Sequence, residues 1–419
     1  MEICLYIMFF GCWSFLNYHK NGFNISVLIL LLYFLGTLCC LSIFLFYPNE
    51  IKYPERISVI SVMSHIILLW LFLYPLVKYG NYFLPERLNI GKSRLSIFLW
   101  CIIVPSLSAM IISIFDIVRI FSYGNLLEAR MAFVNGDLST EYVSRFGVVG
   151  YMMSFGPVIS FLALFFFFYR KFYCKEKGVM VWLLFLSSFC IVAYNLAIAG
   201  REGFVRWFFY CIFCVCFFRK YISYKQNKTL FNIIGIFGGM LLIIFSMITA
   251  DRFEDSNNGP FYSLISYCGQ QFYYYSYAYD RFFNDGYGSL GELFPIVSNT
   301  RADAMNLNSF VNADYYLNTF STFVGSFLKE AGFMNTLLLA LFAFLFSYFA
   351  FWRKQRYANY SLTRIVAYLF YYEVVLLGFF YFIHYLKFTQ ITIVFFIVLS
   401  FMICSIHPKK YLNHLSVFL

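Results

Sequence analysis

Runs of about 20 nearly uninterrupted apolar residues recur along the whole chain, and they constrain the fold more than any other feature. An α-helix rises 1.5 Å per residue, so a run of this length crosses a hydrocarbon layer roughly 30 Å thick. Of the 419 residues, 62% are hydrophobic and only 12% are charged, which excludes an ordinary soluble domain. The sequence therefore predicts an all-α polytopic membrane protein and not a barrel.

We predict about eleven transmembrane helices. They cover 3–17, 24–47, 57–77, 96–115, 148–169, 179–199, 204–218, 231–250, 333–352, 365–383 and 388–406. The segment from Asp251 to Gly332 is rich in charged residues, which are costly to place in hydrocarbon, so we expect one large water-facing loop or cap there. Three domains follow: 1–250 with helices one to eight, 251–332 as the loop, and 333–419 with the last three helices and a tail.

Lysine and arginine positions predict the orientation. They cluster in alternate loops and after the last span, at Lys78, Arg87, Lys92, Arg94, Arg170, Lys171, Lys175, Lys177, Arg219, Lys220, Lys225, Lys228, Arg353, Lys354, Arg356, Arg364, Lys409 and Lys410. Cytoplasmic loops carry such an excess, so we expect this side and the C-terminus to be cytoplasmic and 251–332 to face outward. The net charge of +11 then reflects contact with anionic lipid, and no nucleic-acid partner is expected.

Arginine dominates on the predicted outer face, at Arg56, Arg119, Arg130, Arg145, Arg201, Arg206, Arg252, Arg281 and Arg301. Its planar donors suit bidentate binding of phosphate or carboxylate, so the bias indicates an anionic ligand outside the membrane, although pairing with outward acids is the alternative. Glu202 and Arg206 are four apart and are expected to pair. Arg201, at the start of a span, is therefore the strongest candidate for phosphate contact, with snorkelling at the interface as the alternative.

Two ionisable residues of the tenth predicted span also qualify as candidates. Glu373 lies near mid-membrane, where a carboxylate is functional by default, unless it hydrogen-bonds Tyr371, Tyr372 or His65. His384, at the predicted outer end, would face water and act either as a general base or structurally.

The cysteines fall almost entirely within apolar runs. The closest group is Cys211, Cys214 and Cys216, which has no nearby histidine and lies among Phe and Val. We expect these residues to be small packing groups, and we predict no metal site and no disulfide framework.

Two motifs resemble a known family. Ala199-Gly-Arg-Glu-Gly203 resembles the Gly-Ser-Arg-Gly-like turn of Wzy-type O-antigen and oligosaccharide repeat-unit polymerases. Leu317-Asn-Thr-Phe-Ser-Thr-Phe323, followed by Phe327-Leu-Lys-Glu-Ala-Gly332, resembles that family's Asn-x-x-x-Thr segment and Tyr-x-Asp-Phe-Gly-like span entry. Here Glu330 replaces the usual Asp and Ala331 an aromatic residue. O-antigen ligases use a histidine in the large loop, and 251–332 has none, which favours a polymerase.

The resemblance implies a glycosyltransferase-C-like, O-antigen-polymerase-like bundle in the bacterial inner membrane, with the large loop in the periplasm. It implies transfer of a growing glycan from undecaprenyl pyrophosphate to a second undecaprenyl-pyrophosphate-linked repeat unit. The partners would be these lipid-linked oligosaccharides as donor and acceptor, the membrane lipid, and a chain-length regulator protein as a further candidate. No cofactor is implied.

That chemistry assigns roles to particular residues. Without a metal, arginines would stabilise the leaving diphosphate, each worth about 2.7 to 4 kcal/mol; the candidates are Arg201, Arg281, Arg301, Arg252 and Arg130. The base would be Glu330, Asp280, Asp303 or His384. Sugar contacts would come from Tyr274, Tyr277, Asn318 and Thr322. The alternatives are an aromatic belt at the headgroups for the tyrosines and helix capping for Asn318 and Thr322.

Other classes of protein would be expected to show different sequence features. A transporter or lipid-linked-oligosaccharide flippase would show short loops, internal repeats and broken helices, and would use Glu373. A ligase or another lipid-dependent glycosyltransferase would share the membrane chemistry with a different acceptor or fold. A membrane scaffold would explain the spans but not the arginine bias.

Topology reporters test the predicted orientation. We expect alkaline phosphatase fused within 251–258 to be active and the same enzyme fused after Leu419 to be inactive, because only the first site would be exported. Fusions of green fluorescent protein at the same two sites provide the reciprocal measurement. The reverse pattern would place the arginine-rich face in the cytosol and contradict the prediction.

Overall fold

The computed structural model describes residues 2–51, 57–79, 91–121, 142–198, 200, 202–223, 259–284, 293–298, 321–348, 361–382, 384 and 386–405, with isolated positions between 228 and 243. Within them all regular structure is helical. The α-helices are α1 (Glu2–Asn21), α2 (Ile25–Phe46), α3 (Val59–Tyr79), α4 (Lys92–Phe121), α5 (Tyr142–Val158), α6 (Ser160–Phe168), α7 (Val179–Ser188), α8 (Cys190–Leu196), α9 (Glu202–Phe218), α10 (Gly259–Phe282), α11 (Pro295–Ser298), α12 (Thr322–Ser347), α13 (Leu362–Leu377) and α14 (Lys387–Ser405).

Six helices of the described residues are long and apolar enough to cross a membrane: Ile25–Phe46, Val59–Lys78, Ser93–Val118, Val179–Leu196, Thr322–Ser347 and Lys387–Cys404. A bent pair, Val149–Val158 with Ser160–Tyr173, raises the number to seven if it is one span. The polytopic, all-helical membrane class is therefore confirmed, but eleven spans are not. The predicted spans 3–17, 204–218 and 365–383 form helices outside this set, and 231–250 lies outside the described residues apart from isolated positions.

The chain forms two compact units, each built from separated segments. Unit 1 comprises Met1–Phe83, Ser223–Arg356 and Tyr371–Gln390. Unit 2 comprises Leu84–Ile222, Tyr357–Phe370 and Ile391–Leu419. The three predicted domains follow topology along the chain, and they remain a prediction.

Unit 1 is organised around the packing of α10 on α2. A Cβ at Gly269 would lie only 2.5 Å from the backbone nitrogen of Cys40. The two backbones can therefore approach this closely only because residue 269 has no side chain. The Phe379 ring, with that of Phe272 on α10, fills the space beside Gly36 of α2. Tyr275 of α10 is fully buried. One continuous water-facing loop over 251–332 is thus not confirmed, because Gly259–Phe282 is a helix packed against a candidate span.

The start of α12 is held by the segment that follows α13. The backbone N–H of Phe323 donates to the Gly378 carbonyl at 2.7 Å, and that of Thr322 donates to the Phe380 carbonyl at 3.1 Å. The Ser326 hydroxyl in turn accepts from the Phe382 N–H at 3.2 Å. Because the first N–H groups of a helix have no partner within it, these bonds satisfy both α12 and the irregular, buried backbone after α13.

Unit 2 contains two helix breaks that lie near each other, one between α5 and α6 and one between α7 and α8. The axis bends by 58° between α5 and α6, just after Pro157. The Ser160 hydroxyl donates to the Gly156 carbonyl at 3.0 Å and accepts from the Ile191 N–H at 3.1 Å, near the break between α7 and α8. Phe161 stacks on Tyr210 at 4.5 Å, so aromatic packing fixes the bent pair against α9.

Replacing Gly269 tests the α2–α10 contact. Gly269→Ala places a methyl group against the Cys40 backbone, and we expect an overpacking cost of about 1 to 3 kcal/mol that exceeds the roughly 1 kcal/mol gain in helix propensity. Thermal unfolding of the detergent-solubilised protein measures the difference. Gly235→Ala is the matched control, since Gly235 is also helical and nothing lies within 4 Å of the added methyl group there. Equal stability of the two variants would contradict the close approach.

Candidate functional site

A buried histidine connects four helices of unit 1. His65 on α3 is fully buried, with its Nδ1 2.8 Å from the Tyr6 hydroxyl and its Nε2 3.0 Å from the Thr322 hydroxyl. The Tyr275 ring of α10 stacks on the imidazole at 3.8 Å, almost parallel to it. Buried polar groups are costly unless they are hydrogen-bonded, so α1, α3, α10 and α12 must meet in this one arrangement.

The serines of α3 extend this network along α10. The Ser64 hydroxyl lies 3.2 Å from the Tyr275 hydroxyl, and the Ser61 hydroxyl donates to the Ser276 hydroxyl at 2.8 Å. All of these hydroxyl-bearing residues are buried. The network therefore consists of hydrogen bonds between packed helices, and we assign it to holding the helices in position.

Thr322 has an unusual backbone conformation for a β-branched residue. Its φ is +60°, a region in which L-residues are rare and strained by about 1 to 3 kcal/mol. Its hydroxyl lies 3.4 Å from the Gly325 N–H, three residues on, which is a helix-capping contact. The capping alternative for Thr322 agrees with this contact, and the residue is too deeply buried to present its hydroxyl to a sugar at the surface of unit 1.

An aromatic contact joins the end of α10 to α12, and charged residues of both helices lie within about one turn of it. The Phe333 N–H donates to the Phe283 carbonyl at 3.2 Å, and the two rings stack at 5.1 Å. Asp280 and Arg281 lie just before Phe283, and Lys329 and Glu330 lie just before the kink at Gly332, where φ is +76°. We call Asp280, Arg281, Lys329 and Glu330 the junction cluster. Two predicted bases and one predicted arginine thus occupy neighbouring turns.

The junction cluster differs in exposure from residue to residue. Asp280 and Arg281 are exposed, Glu330 is half-buried and Lys329 is buried. Partial removal from solvent raises the pKa of the Asp280 carboxyl above its ordinary value, which makes it a stronger proton acceptor. A carboxylate of this kind next to cations can take a proton while the cations stabilise a developing negative charge.

His384 does not lie where the sequence predicted. It was expected to face water, but it is buried, and its Nε2 lies 3.6 Å from the Glu373 carboxylate, itself buried. The reason is that α13 ends at Leu377, so His384 follows in buried irregular backbone and is not at the outer end of a straight helix. For Glu373 the sequence left open a functional role or a hydrogen bond to Tyr371, Tyr372 or His65. The structure places its carboxylate 3.6 Å from His384. The Tyr371 hydroxyl donates to the Phe72 carbonyl, and the His65 ring contacts Tyr6 and Thr322.

Gln390 fixes the backbone around His384. Its side-chain amide donates to the His384 carbonyl at 2.8 Å and to the Leu293 carbonyl at 2.6 Å. The Phe382 ring lies 6.1 Å from the His384 ring and 4.8 Å from the Phe327 ring. His384 therefore has a fixed backbone and an apolar wall on the side of α12.

The other predicted site residues are distributed unevenly. Tyr274 and Tyr277 are half-buried on α10, where they alternate with the buried Tyr273 and Tyr275. The predicted Glu202–Arg206 pair is confirmed, with the Arg206 Nε donating to the Glu202 carboxylate at 2.8 Å. Six predicted residues lie outside the described part of the chain: Arg130, Arg201, Arg252, Arg301, Asp303 and Asn318.

The sequence did not single out three residues that the structure brings into this region. Lys329 stands within a motif that was quoted for its glutamate, and its burial depends on which face of α12 packs inward. Tyr6 and Gln390 belong to apolar runs and have no local pattern that reveals a partner.

Comparisons with known proteins give no family. A scan against protein-family models, a search of curated proteins and a search of solved structures each found no match. The function must therefore be argued from the residues described above and from the motif resemblance.

Thr322→Val tests the histidine network. Valine keeps the shape and the branching but removes the hydroxyl from His65, and we expect a loss of about 1 to 3 kcal/mol in unfolding free energy. Thr37→Val is the matched control, because that buried hydroxyl bonds only the Phe34 carbonyl of its own helix. Unfolding in detergent measures both. A Thr322→Val variant as stable as Thr37→Val would show that the contact adds nothing.

Proposed function

We propose that this chain is a membrane glycosyltransferase that joins oligosaccharide repeat units carried on a polyprenyl diphosphate, as O-antigen polymerases do. The membrane class of the fold and the two motifs around Arg201 and Glu330 support this proposal. The observation on which it rests most is the junction cluster, whose carboxylates and cations lie within about one helical turn of the contact between Phe283 and Phe333.

In the proposed reaction the hydroxyl of the acceptor glycan attacks the anomeric carbon of the donor. The C–O bond to the diphosphate breaks, and its electron pair leaves with the diphosphate. Arg281 stabilises this charge, together with the arginines predicted from the sequence, and the buried ammonium of Lys329 adds positive charge beside Glu330. The base is one of Glu330, Asp280, Asp303 and His384. Whichever residue it is must lie within about 3 Å of the attacking hydroxyl.

The periplasmic site, the inner membrane and the undecaprenyl carrier belong to the same proposal. They depend on the positive-inside orientation and on the resemblance. The proposal includes no cofactor and no metal. A chain-length regulator remains a proposed partner.

A second candidate function is transport of the same lipid-linked oligosaccharide. The buried Glu373–His384 pair favours it, because intramembrane ionisable pairs mark transport and proton pathways. The two functions differ in product: a transporter moves an unchanged substrate across the bilayer, whereas a polymerase makes it longer. A ligase would also transfer glycan, but to a lipid core instead of a second repeat unit.

Deleting the gene in the source bacterium tests the class of reaction. We expect the surface polysaccharide ladder to collapse to the core plus a single repeat, because translocation and ligation would continue while polymerisation stops. Gel electrophoresis of extracted lipopolysaccharide measures the ladder. Loss of the first repeat as well would indicate transport or ligation and contradict the polymerase proposal.

Complementation with Arg281→Ala tests the junction cluster. We expect polymer formation to fall about 100- to 1,000-fold, the usual effect of removing one charged donor from a developing anion, and Arg281→Lys to restore part of it. Arg219→Ala is the matched control, because Arg219 is exposed in unit 2. A full ladder in Arg281→Ala at normal protein abundance would remove this arginine from the mechanism.

A further inference from the structure

Two cysteines from distant parts of the chain meet where α2 and α10 are in close contact. Cys39 of α2 and Cys268 of α10 each precede one residue of the contact between Cys40 and Gly269. A Cβ on Gly269 would lie 2.7 Å from the backbone carbonyl carbon of Cys39. The Cys39 and Cys268 thiols form a hydrogen bond to each other across this contact. Two sulfur atoms therefore lie side by side between the two helices.

Contacts on both sides of the cysteines fix the pairing of the helices. The Tyr47 ring, directly after α2, lies 4.9 Å from the Tyr262 ring near the start of α10. In the other direction, a Cβ on Gly36 would lie 2.9 Å from the Phe272 ring. Residue numbers thus fall along α2 as they rise along α10, so the helices are antiparallel and the two cysteines lie between these contacts.

The close approach of the backbones suits a disulfide bond. A disulfide joins Cα atoms about 4.4 to 6.8 Å apart, whereas the axes of packed helices are usually about 8 to 10 Å apart. Gly269 removes the side chain that would keep the two backbones at the usual separation. Both thiols are half-buried, so each has surface that a small reagent can reach.

We propose that Cys39 and Cys268 are an oxidation site at which a disulfide forms and joins α2 to α10. Both thiols are free in this structure, so the bond is added to a fold that is already formed. The oxidant is a second disulfide, of a protein or of a small molecule, and the compartment in which the bond persists is an oxidising one.

The bond forms by thiol–disulfide exchange in two steps. The thiolate of one cysteine attacks a sulfur of the oxidant, the S–S bond of the oxidant breaks, and one thiol leaves. The second cysteine then attacks the mixed disulfide and releases the other thiol. The two protons of the cysteines and two electrons leave with these thiols, so the oxidant is reduced while the protein is oxidised.

The disulfide restrains unit 1 whichever reaction the chain performs. It closes a covalent loop between residues 39 and 268, which restricts the unfolded chain and favours the folded one. It also holds α10 against α2, and with α10 the Tyr275 ring that stacks on His65.

Oxidation of the purified full-length chain in detergent tests this inference. The probe is dithiodipyridine, a small apolar disulfide. After treatment the remaining thiols are blocked with N-ethylmaleimide, and the digested chain is analysed by mass spectrometry. We expect a pair of peptides joined through Cys39 and Cys268, which dithiothreitol separates. On a non-reducing gel the oxidised chain should migrate as a monomer, because both cysteines belong to one molecule.

Serine variants provide the matched controls. In Cys39→Ser the remaining Cys268 should keep a pyridylthio group, because the thiol that would displace it is gone, and Cys268→Ser should give the converse result. Dithiothreitol should lower the unfolding temperature of the oxidised wild-type chain more than that of oxidised Cys39→Ser, which cannot form the bond. Pyridylthio groups kept on both cysteines of the wild-type chain, or joined peptides found only in a covalent dimer, would overturn the inference. An equal effect of dithiothreitol on the two chains would contradict the proposed restraint.

Discussion

The close approach of α2 and α10 is the contact on which the rest of unit 1 depends. It is possible only because Gly269 presents no side chain to the Cys40 backbone, and Phe379 and Phe272 occupy the space that Gly36 leaves open. With α10 in this position, Tyr275 reaches the His65 ring and the end of the helix brings Asp280 and Arg281 to the Phe283–Phe333 junction. A backbone contact between two small residues thus determines where the charged residues stand.

Polar groups inside unit 1 restrict the helices to one arrangement. In apolar surroundings the hydrophobic effect gives little preference among helix pairings, so specific hydrogen bonds and close packing must supply it. The His65 network supplies such bonds to four helices, and the carbonyls of Gly378 and Phe380 supply them to the start of α12. The strained φ of Thr322 is maintained because its hydroxyl and its N–H are both engaged.

The sequence predicts much of the local structure and little of the tertiary placement. Six spans and the Glu202–Arg206 pair were predictable because they depend on run length and on helical spacing alone. The packing of α10 could not be predicted from the sequence. A tyrosine-rich segment with flanking charges has the composition of a water-facing loop, and Gly269 does not indicate that α2 is its partner. The predicted exposure of His384 was wrong because α13 ends after Leu377, and no proline in the sequence marks that helix end. For the candidate site, Glu330, Asp280 and Arg281 were identified as residues, but the junction that joins them follows from contacts between distant segments.

The segmented construction of unit 1 has a consequence for biogenesis. Its first segment ends at Phe83 and its second begins at Ser223, so the ribosome must make the long first segment of unit 2 before α10 exists. During that interval Gly36 lacks Phe272 and Phe379, and His65 has Tyr6 of α1 but neither Tyr275 nor Thr322. Chains are made from the N-terminus at about 5 to 20 residues per second, so this exposed stage lasts on the order of ten seconds.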